Sequence, residues 1–211
     1  MVHFNEVEYI YSGQDGPAIV DLSLDIQPGE SVCIMGANGS GKTTFARLVA
    51  GLLKPSRGTV SIGSSDNGLS NDVGILFQNP DNQMVAVTVE KEIAFVLENR
   101  CVPQDEMEQR ITATLDRFSI SHLKRRLTSE LSGGEKQRVA LASVMVSEPK
   151  ILVLDEPDSF LDQPGREALA AELHLLRRAD PSMIQIHITQ YPSAARKYDR
   201  LLIFVEGKLI A

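Results

Sequence analysis

The sequence has few cysteines, no long apolar run and fewer basic than acidic residues. Cys33 and Cys101 are the two cysteines among 211 residues, so the chain offers no disulfide framework and a reducing compartment is expected. No apolar stretch approaches the roughly 20 residues that span a bilayer, and the N-terminus lacks the pattern of a secretory signal. The formal net charge of −7 argues against broad nucleic-acid binding, which relies on basic surface.

Strand-like and helix-like patterns alternate along the chain. The continuous apolar run at residues 151–155 is typical of a buried parallel strand, and between residues 89 and 147 the apolar spacing becomes helical. This order predicts an α/β fold with a mostly parallel sheet, an N-terminal antiparallel β part and an inserted α-helical lobe. We expect a single domain over residues 1–211, with a core of 1–88 and 148–211, a helical lobe at 89–147 and a polar loop at 64–72.

The stretch GANGSGKTT, residues 36–44, has the spacing of a phosphate-binding loop between a strand and a helix. Glycines let such a loop curl so that N–H groups point inward to an anion, and the following helix adds its positive dipole end. Lys42 is expected to reach the β- and γ-phosphates, and Thr43 to place its hydroxyl on Mg²⁺. A glycine-rich surface turn is the alternative. The predicted nucleotide-binding residues of this P-loop are Gly36, Asn38, Gly39, Ser40, Gly41, Lys42, Thr43 and Thr44.

Two adjacent carboxylates end the apolar run ILVLDEP, residues 151–157. Ligands of open α/β sheets bind at the carboxyl ends of the strands, and both this motif and the phosphate loop follow a strand. Asp155 is therefore expected to hold Mg²⁺ through water, and Glu156 to polarise an attacking water molecule. A solvated turn is the alternative interpretation of the two carboxylates.

The stretch LSGGEKQRVALA, residues 131–142, opens a helix with a second potential anion site. A chain that already has a phosphate loop can use a second site for a nucleotide that another subunit holds. With this stretch, the sequence resembles the ATPase subunits of ABC transporters over essentially its whole length. The resemblance rests on five ordered elements: the phosphate loop at 36–43, Gln78, LSGGE at 131–135, ILVLDEP at 151–157 and SFLD at 159–162.

The resemblance implies a P-loop NTPase core that binds ATP and Mg²⁺ and pairs head to tail with a second ATPase subunit. Ser132, Gly133 and Gly134 would contact the γ-phosphate that the other subunit holds. Asp162 would lie in a segment that touches that subunit. Gln78 would contribute to catalysis and to the Mg²⁺ geometry, and would link the site to a membrane partner.

An aromatic residue stacks on adenine in this family, and Tyr11 matches it in position. Tyr11 lies 25 residues before Gly36, at the end of the first predicted strand, so an ordinary strand tyrosine is the alternative interpretation. Tyr9 is a competing candidate, because stacking needs only a suitably placed ring face.

A narrower resemblance lies in residues 77–99, FQNPDNQMVAVTVEKEIAFVLEN. This stretch is similar to the ATPase subunits of energy-coupling-factor importers, which take up vitamins and cobalt or nickel ions. The similarity implies a peripheral protein at the cytoplasmic face of the cell membrane, with an integral-membrane coupling subunit docked near residues 78–90. A generic ABC helical lobe is the alternative. The paired ATPase could be a second copy or a different chain, and members of the group usually extend beyond residue 211.

The run MIQIHITQ, residues 183–190, ends in glutamine where the family has a histidine that contacts the γ-phosphate. Gln190 can donate a hydrogen bond, but it cannot carry positive charge or shuttle a proton. His187 lies roughly 10 Å back along the strand and on its opposite face, so it cannot easily substitute. We expect an intact ATP site with slowed hydrolysis. The alternative is that Glu156 suffices and Gln190 is a tolerated variant.

Two other functions compete with a transport ATPase. A nucleotide-gated subunit paired with an active ATPase is favoured by Gln190 and opposed by Glu156. A soluble ABC ATPase acting on DNA or ribosomes has only the basic run KRR, residues 124–126, in its favour. A solvated helix end is a commoner explanation of such a run.

Overall fold

The computed structural model describes residues 1–14, 16–63, 65–66 and 72–210. The polar loop predicted at 64–72 therefore lies largely outside the described residues. The strands are β1 (Val2–Tyr9), β2 (Ile19–Ile26), β3 (Ser31–Gly36), β4 (Arg57–Ile62), β5 (Ser65–Asp66), β6 (Val73–Leu76), β7 (Ile151–Asp155), β8 (Ile184–Ile188), β9 (Arg200–Val205) and β10 (Lys208–Leu209). The helices are α1 (Lys42–Val49), α2 (Val89–Asn99), α3 (Gln104–Arg117), α4 (Gly133–Met145), α5 (Gln163–Ala179) and α6 (Pro192–Ala195), with 3-10 helices at Pro80–Asn82, Ser121–Leu123 and Thr128–Glu130.

The central sheet has the strand order β10-β9-β3-β8-β7-β6. Strands β9, β3, β8, β7 and β6 run parallel, and β10 pairs antiparallel with β9. Both β7 and β8 are buried at every position, as expected of strands covered on both faces. The segments that follow β3, β7 and β8 consequently meet at one edge of the sheet. The predicted mostly parallel sheet is confirmed.

The N-terminal part forms a second, antiparallel sheet in the order β2-β1-β4-β5. Helix α1 joins this sheet to the central one through aromatic contacts. The Phe45 ring of α1 stacks on Phe4 of β1 at a centroid distance of 5.0 Å and meets Phe204 of β9 at 5.6 Å. All three rings are buried, so the phosphate loop that precedes α1 is held between the two sheets. The predicted antiparallel part is confirmed.

Helices α2, α3 and α4 form the helical insert between β6 and β7. Val89, Ile93 and Leu97 of α2 are fully buried on one face of that helix, which follows from their helical spacing. The apolar cluster that contains them continues through α4 to Leu152 and Leu154 of the central sheet. The predicted α-helical lobe is therefore confirmed and shares its core with the sheet. Within the described ranges, no helix has the length and hydropathy needed to cross a membrane.

Candidate functional site

The phosphate loop connects β3 to α1 and requires glycine at two positions. A Cβ atom at Gly36 would lie 2.3 Å from the Phe204 carbonyl oxygen, and one at Gly41 would lie 2.5 Å from that of Ala18. Gly41 also has φ of 105°, a conformation that glycine adopts without a steric penalty. The buried ammonium group of Lys42 donates to two loop carbonyl oxygens, each at 2.9 Å. The loop thus curls around a cation, which suits an anionic ligand.

Ser40 and Thr43 of the loop, together with Asp155 at the end of β7, also suit phosphate and a hard cation. The buried hydroxyl of Ser40 has no hydrogen-bond partner among the described residues, so a phosphate oxygen could satisfy it. The Thr43 hydroxyl donates to Asp155 Oδ1 at 3.2 Å, which brings together two oxygen ligands of the kind that Mg²⁺ prefers. Burial raises the pKa of the Asp155 carboxyl, and the Thr43 hydrogen bond partly opposes this increase. A divalent cation would stabilise the charged form of this carboxyl.

Glu156 lies at the centre of the site, immediately after β7. Its N–H donates to the Ile188 carbonyl oxygen at 3.0 Å, and its backbone has φ of 50°, which is uncommon outside glycine. The side chain is 10% exposed. Its Oε2 atom accepts hydrogen bonds from Gln78 Nε2 at 3.3 Å, Ser159 Oγ at 3.2 Å and Gln190 Nε2 at 2.9 Å. Three donors from different segments therefore converge on one carboxylate oxygen.

The cation of the loop approaches the other oxygen of this carboxylate. Lys42 Nζ lies 3.8 Å from Glu156 Oε1. Gln190, just beyond β8, also donates to Asn38 Oδ1 of the phosphate loop at 3.2 Å. The structure thus brings Lys42, Glu156, Gln190 and Asn38 together, with Gln190 as a bridge between the phosphate loop and the carboxylate.

A buried polar network lies behind Gln190. The Thr189 hydroxyl donates to Asp158 Oδ2 at 2.6 Å, and His187 Nε2 lies 3.6 Å from the same oxygen. His187 Nδ1 is 2.6 Å from the Tyr198 hydroxyl. Burial lowers the pKa of His187 to about 4, although Asp158 opposes the decrease. His187 is therefore uncharged at neutral pH and belongs to this network, on the other side of β8 from Gln190.

Of the two tyrosines considered for adenine stacking, Tyr11 contacts the phosphate-loop helix. Its hydroxyl lies 3.1 Å from Thr44 Oγ1. Tyr9 packs edge-on against the Tyr11 ring at a centroid distance of 4.8 Å and also contacts the apolar core. Tyr11 is thus the tyrosine whose ring lies beside the loop.

The signature stretch lies at the start of α4, where Ser132, Gly133 and Gly134 are exposed. Ser132 caps the helix by accepting a hydrogen bond from the Glu135 N–H at 3.4 Å, and its own N–H and hydroxyl each donate to Glu135 Oε2 at 2.7 Å. This pairing lowers the pKa of Glu135, and the hydrogen bonds from Ser132 make the largest contribution. A Cβ atom at Gly133 or Gly134 would meet nothing within 4 Å. The fold itself therefore does not require these two glycines.

Asp162 caps α5 by accepting a hydrogen bond from the Gly165 N–H at 2.8 Å, and a cap of this kind stabilises a helix without any ligand. Sequence patterns indicated neither the Ser159 hydrogen bond to Glu156 nor the link between Asp158 and Thr189. Ser159 lies within the SFLD motif, but residue spacing alone does not indicate which way a hydroxyl in a loop points.

A family model described as ABC transporter matches residues 19–159. The chain is 39% identical to the energy-coupling factor transporter ATP-binding protein EcfA1 of Enterococcus faecalis, over 99% of this chain and 77% of that protein. It is 42% identical to EcfA1 of Mycoplasma pneumoniae, over 98% of this chain and 76% of that protein. The chain belongs to the ABC transporter ATP-binding proteins, within the energy-coupling-factor group.

Solved structures of this family have the same fold. The protein cbiO1 of Clostridium perfringens, described as part of the ABC transporter complex cbiONQ, aligns with a TM-score of 0.88 at 33% identity, over 100% of this chain and 86% of that one. A dimeric post-hydrolysis structure of the ATP-binding cassette MJ0796, bound to ADP and phosphate, aligns with a TM-score of 0.87 at 26% identity, over 100% of this chain and 97% of that one. The predicted P-loop NTPase core and ABC ATPase family are confirmed.

The buried histidine generates a prediction for this ABC ATPase domain. Because the folded pKa of His187, about 4, lies below its ordinary value of 6.5, the unfolded chain binds more protons between these two values. The free energy of unfolding should fall as pH decreases through this window, by roughly 1 to 2 kcal/mol at pH 5 from this group. Urea unfolding at pH 7 and pH 5 measures the loss.

We expect His187→Asn to lose less stability than the parent over that pH interval, whereas His174→Asn, at an exposed histidine of α5, should lose as much as the parent. An NMR titration of His187 in the folded parent measures its pKa independently of any variant. A pKa near 6.5 would contradict the prediction.

Proposed function

We propose that this chain binds MgATP at its own phosphate loop and hydrolyses it in a head-to-tail dimer, as the ATPase subunit of an energy-coupling-factor importer. One observation carries the proposal. A buried lysine, a threonine–aspartate pair and a glutamate that accepts several hydrogen bonds converge at the strand ends of one sheet. Family membership supports the ATPase chemistry, and the curated relatives support the transporter group.

The nucleotide would lie along the loop from Gly36 to Thr44. The N–H groups at the start of α1 and the Lys42 ammonium would hold the phosphates, because the first turn of a helix leaves N–H groups without partners inside the helix. We infer that Tyr11 stacks on adenine, which its contact with Thr44 supports. The contributing residues would be Tyr11, Gly36, Asn38, Gly39, Ser40, Gly41, Lys42, Thr43 and Thr44.

We infer that Thr43, Asp155 and Gln78 hold Mg²⁺, with Asp155 acting through water. When bound, the cation would neutralise charge on the phosphate oxygens. Thr43 would orient Asp155, as their hydrogen bond suggests.

Glu156 would orient and polarise the attacking water. To do so it must exchange part of its present hydrogen bonding, because Oε2 accepts from three donors. The hydrogen bond from Gln78 is the longest of the three. We infer that Gln78 would leave Glu156 and turn towards Mg²⁺ and the attacking water. Gln190 bridges Glu156 and Asn38, and would contact the γ-phosphate from that position.

We infer that Ser132, Gly133 and Gly134 contact ATP held by the paired subunit. Their open surroundings support this role, because glycines that the fold does not need leave room for a ligand. The N-terminus of α4 adds N–H donors and a positive dipole end. Asp162 and the adjoining Phe160, whose side chain is 71% exposed, would lie against the same subunit. That subunit would be a second copy or a related ATPase.

The segment at residues 78–90 supports docking of an integral-membrane coupling subunit. Val85 and Val87 are 65% and 66% exposed, yet the backbone beside them is fixed. The buried Glu92 carboxylate accepts hydrogen bonds from the N–H groups of Val85 and Ala86 at 2.9 and 2.7 Å. A fixed segment that presents apolar side chains to solvent suits a protein interface. Docking there would make the chain a peripheral protein at the cytoplasmic face of a membrane.

A hydrolysis-impaired, nucleotide-gated subunit is the second candidate function. The observation in its favour is the hydrogen bond from Gln190 to Glu156. An amide that donates to the proposed base cannot also accept a proton or supply positive charge. In such a subunit, the signature residues would complete the active site of a different ATPase partner. The ATP bound at this chain's own loop would then serve to close the dimer.

Replacing Gln190 by histidine tests which candidate applies. We expect Gln190→His to raise ATP turnover by about tenfold, equivalent to about 1.4 kcal/mol of barrier, because imidazole can carry charge beside the γ-phosphate. Turnover is measured at saturating MgATP in the complex, with Gln190→Ala as the control that removes the amide without adding imidazole. Equal rates in the parent and Gln190→His would mean that the parent site is not slowed.

Replacing Gly134 by alanine tests the role of the signature. We expect unchanged or slightly higher stability, by up to about 1 kcal/mol, because alanine favours a helix more than glycine does. ATP-dependent association with the paired subunit should fall at least tenfold, since the methyl group would enter the space meant for ATP. Sedimentation with and without MgATP measures the association.

The matched control is Gly16→Ala, which also adds a methyl group in open space but lies far from α4 in sequence and outside the proposed contacts. Parent-like association of the Gly134→Ala protein would rule out the trans contact.

A further inference from the structure

The segment after Gln78 is a small unit that is fastened to the edge of the central sheet. Gln83 Oε1 accepts from the Phe77 N–H at 3.0 Å, and Gln83 Nε2 donates to the Ile75 carbonyl oxygen at 3.3 Å. Asn79 caps the 3-10 helix Pro80–Asn82 by accepting from the Asp81 N–H at 2.9 Å. One glutamine side chain thus ties the loop that contains the 3-10 helix to β6.

The start of α4 is fastened in a similar way. Ser132 and Glu135 form a reciprocal cap, and the Lys136 N–H donates to the Ser132 carbonyl oxygen at 2.8 Å. Arg126 lies 3.6 Å from Glu135 on the outer side of the cap. The first turn of α4 is therefore well ordered, and Lys136 projects from it at a defined place.

These two units meet through one ion pair. Lys136 Nζ lies 2.5 Å from Asp81 Oδ1, and contacts between α4 and the 3-10 helix surround it. The Lys136 side chain is 19% exposed although that of Asp81 is 61% exposed. A lysine side chain covered to this degree has already lost much of its rotamer freedom. Forming this ion pair therefore costs less side-chain entropy than forming a fully exposed ion pair.

The ion pair lies between two functional ends. On one side, Asp81 is three residues from Gln78, whose amide contacts Glu156 at this chain's own site. On the other side, Lys136 is two residues from Gly134, which we assign to the ATP of the paired subunit. With a rigid connection between these ends, a shift in the position of residues at one site would shift residues at the other.

We propose that Asp81 and Lys136 are positioning residues, whose ion pair couples the Gln78 segment of one ATP site to the signature helix that serves the opposite site. The proposal rests on the proposed head-to-tail dimer. With the pair intact, the position that Gln78 takes when ATP binds at its own loop fixes the start of α4 in the position that closes on the partner. Without the pair, α4 meets the second ATP in a wider range of positions, and closure weakens.

Charge exchange tests the proposal. The chain is studied with the subunit that co-purifies with it, or with itself, and in a Glu156→Gln background so that hydrolysis does not reopen the dimer. Asp81→Asn, Lys136→Gln and the exchanged pair Asp81→Lys with Lys136→Asp are compared by sedimentation with and without MgATP. The matched control is Arg110→Gln, which removes an ion pair with Glu106 in the same lobe. MgATP binding to the single chain is measured separately.

We expect each single change to weaken ATP-dependent association by about fivefold, the upper range for a partly exposed ion pair. The exchanged pair should recover at least half of the loss, and Arg110→Gln should associate like its parent. MgATP affinity of the single chain should stay within about twofold in each variant, because neither residue contacts the phosphate loop. Recovery by charge exchange is not expected if the two side chains merely fill space.

Parent-like association of both single variants would overturn the proposal, and so would an exchanged pair as weak as either single variant. A parent that associates with no subunit in the presence of MgATP would overturn it as well, since the signature would then have no opposite site. Failure of the proposed ATPase function is recognised separately, as absence of phosphate release by the chain with native Glu156. That result leaves the association measurements fully interpretable.

Discussion

The carboxylate of Glu156 is the point on which the rest of the site depends. It is buried after a central strand, and one of its oxygens accepts hydrogen bonds from the segments that contain Gln78, Ser159 and Gln190. Its other oxygen faces the lysine of the phosphate loop. A buried carboxylate must be paired or hydrogen-bonded because its desolvation is costly. Meeting that requirement ties four parts of the chain to one group, so a change in any of them alters the surroundings of this carboxylate.

This arrangement explains why Gln190 matters more than its exposed position suggests. The amide satisfies Glu156 in the resting chain and also reaches Asn38 of the phosphate loop. It lacks a titratable proton, so in the proposed role it would offer the γ-phosphate a dipole rather than a charge. We therefore propose that Gln190 keeps the site assembled while slowing hydrolysis.

Much of the fold and of the phosphate site could be predicted from sequence, because those features depend on local pattern. The glycine spacing of the phosphate loop, the strand that ends in Asp155 and the helical spacing of α2 are all visible in residue order. The placement of Tyr11 beside Thr44 could be proposed but not distinguished from Tyr9, since both lie in the same short segment. Residue order indicated that His187 belongs to the core, but it did not predict the Ser159 contact, the His187 contact with Tyr198 or the Asp81–Lys136 pair. Those contacts join residues through tertiary packing, which spacing along the chain does not encode.

The most direct test of this account is phosphate release from MgATP by the parent and by Glu156→Gln, with MgATP binding measured on the same samples. We predict that both proteins bind MgATP with similar affinity and that Glu156→Gln releases phosphate at least about 100-fold more slowly, the usual range for loss of a general base. Turnover by Glu156→Gln close to that of the parent would contradict the assignment of Glu156. Failure of the parent to bind MgATP would contradict the account as a whole.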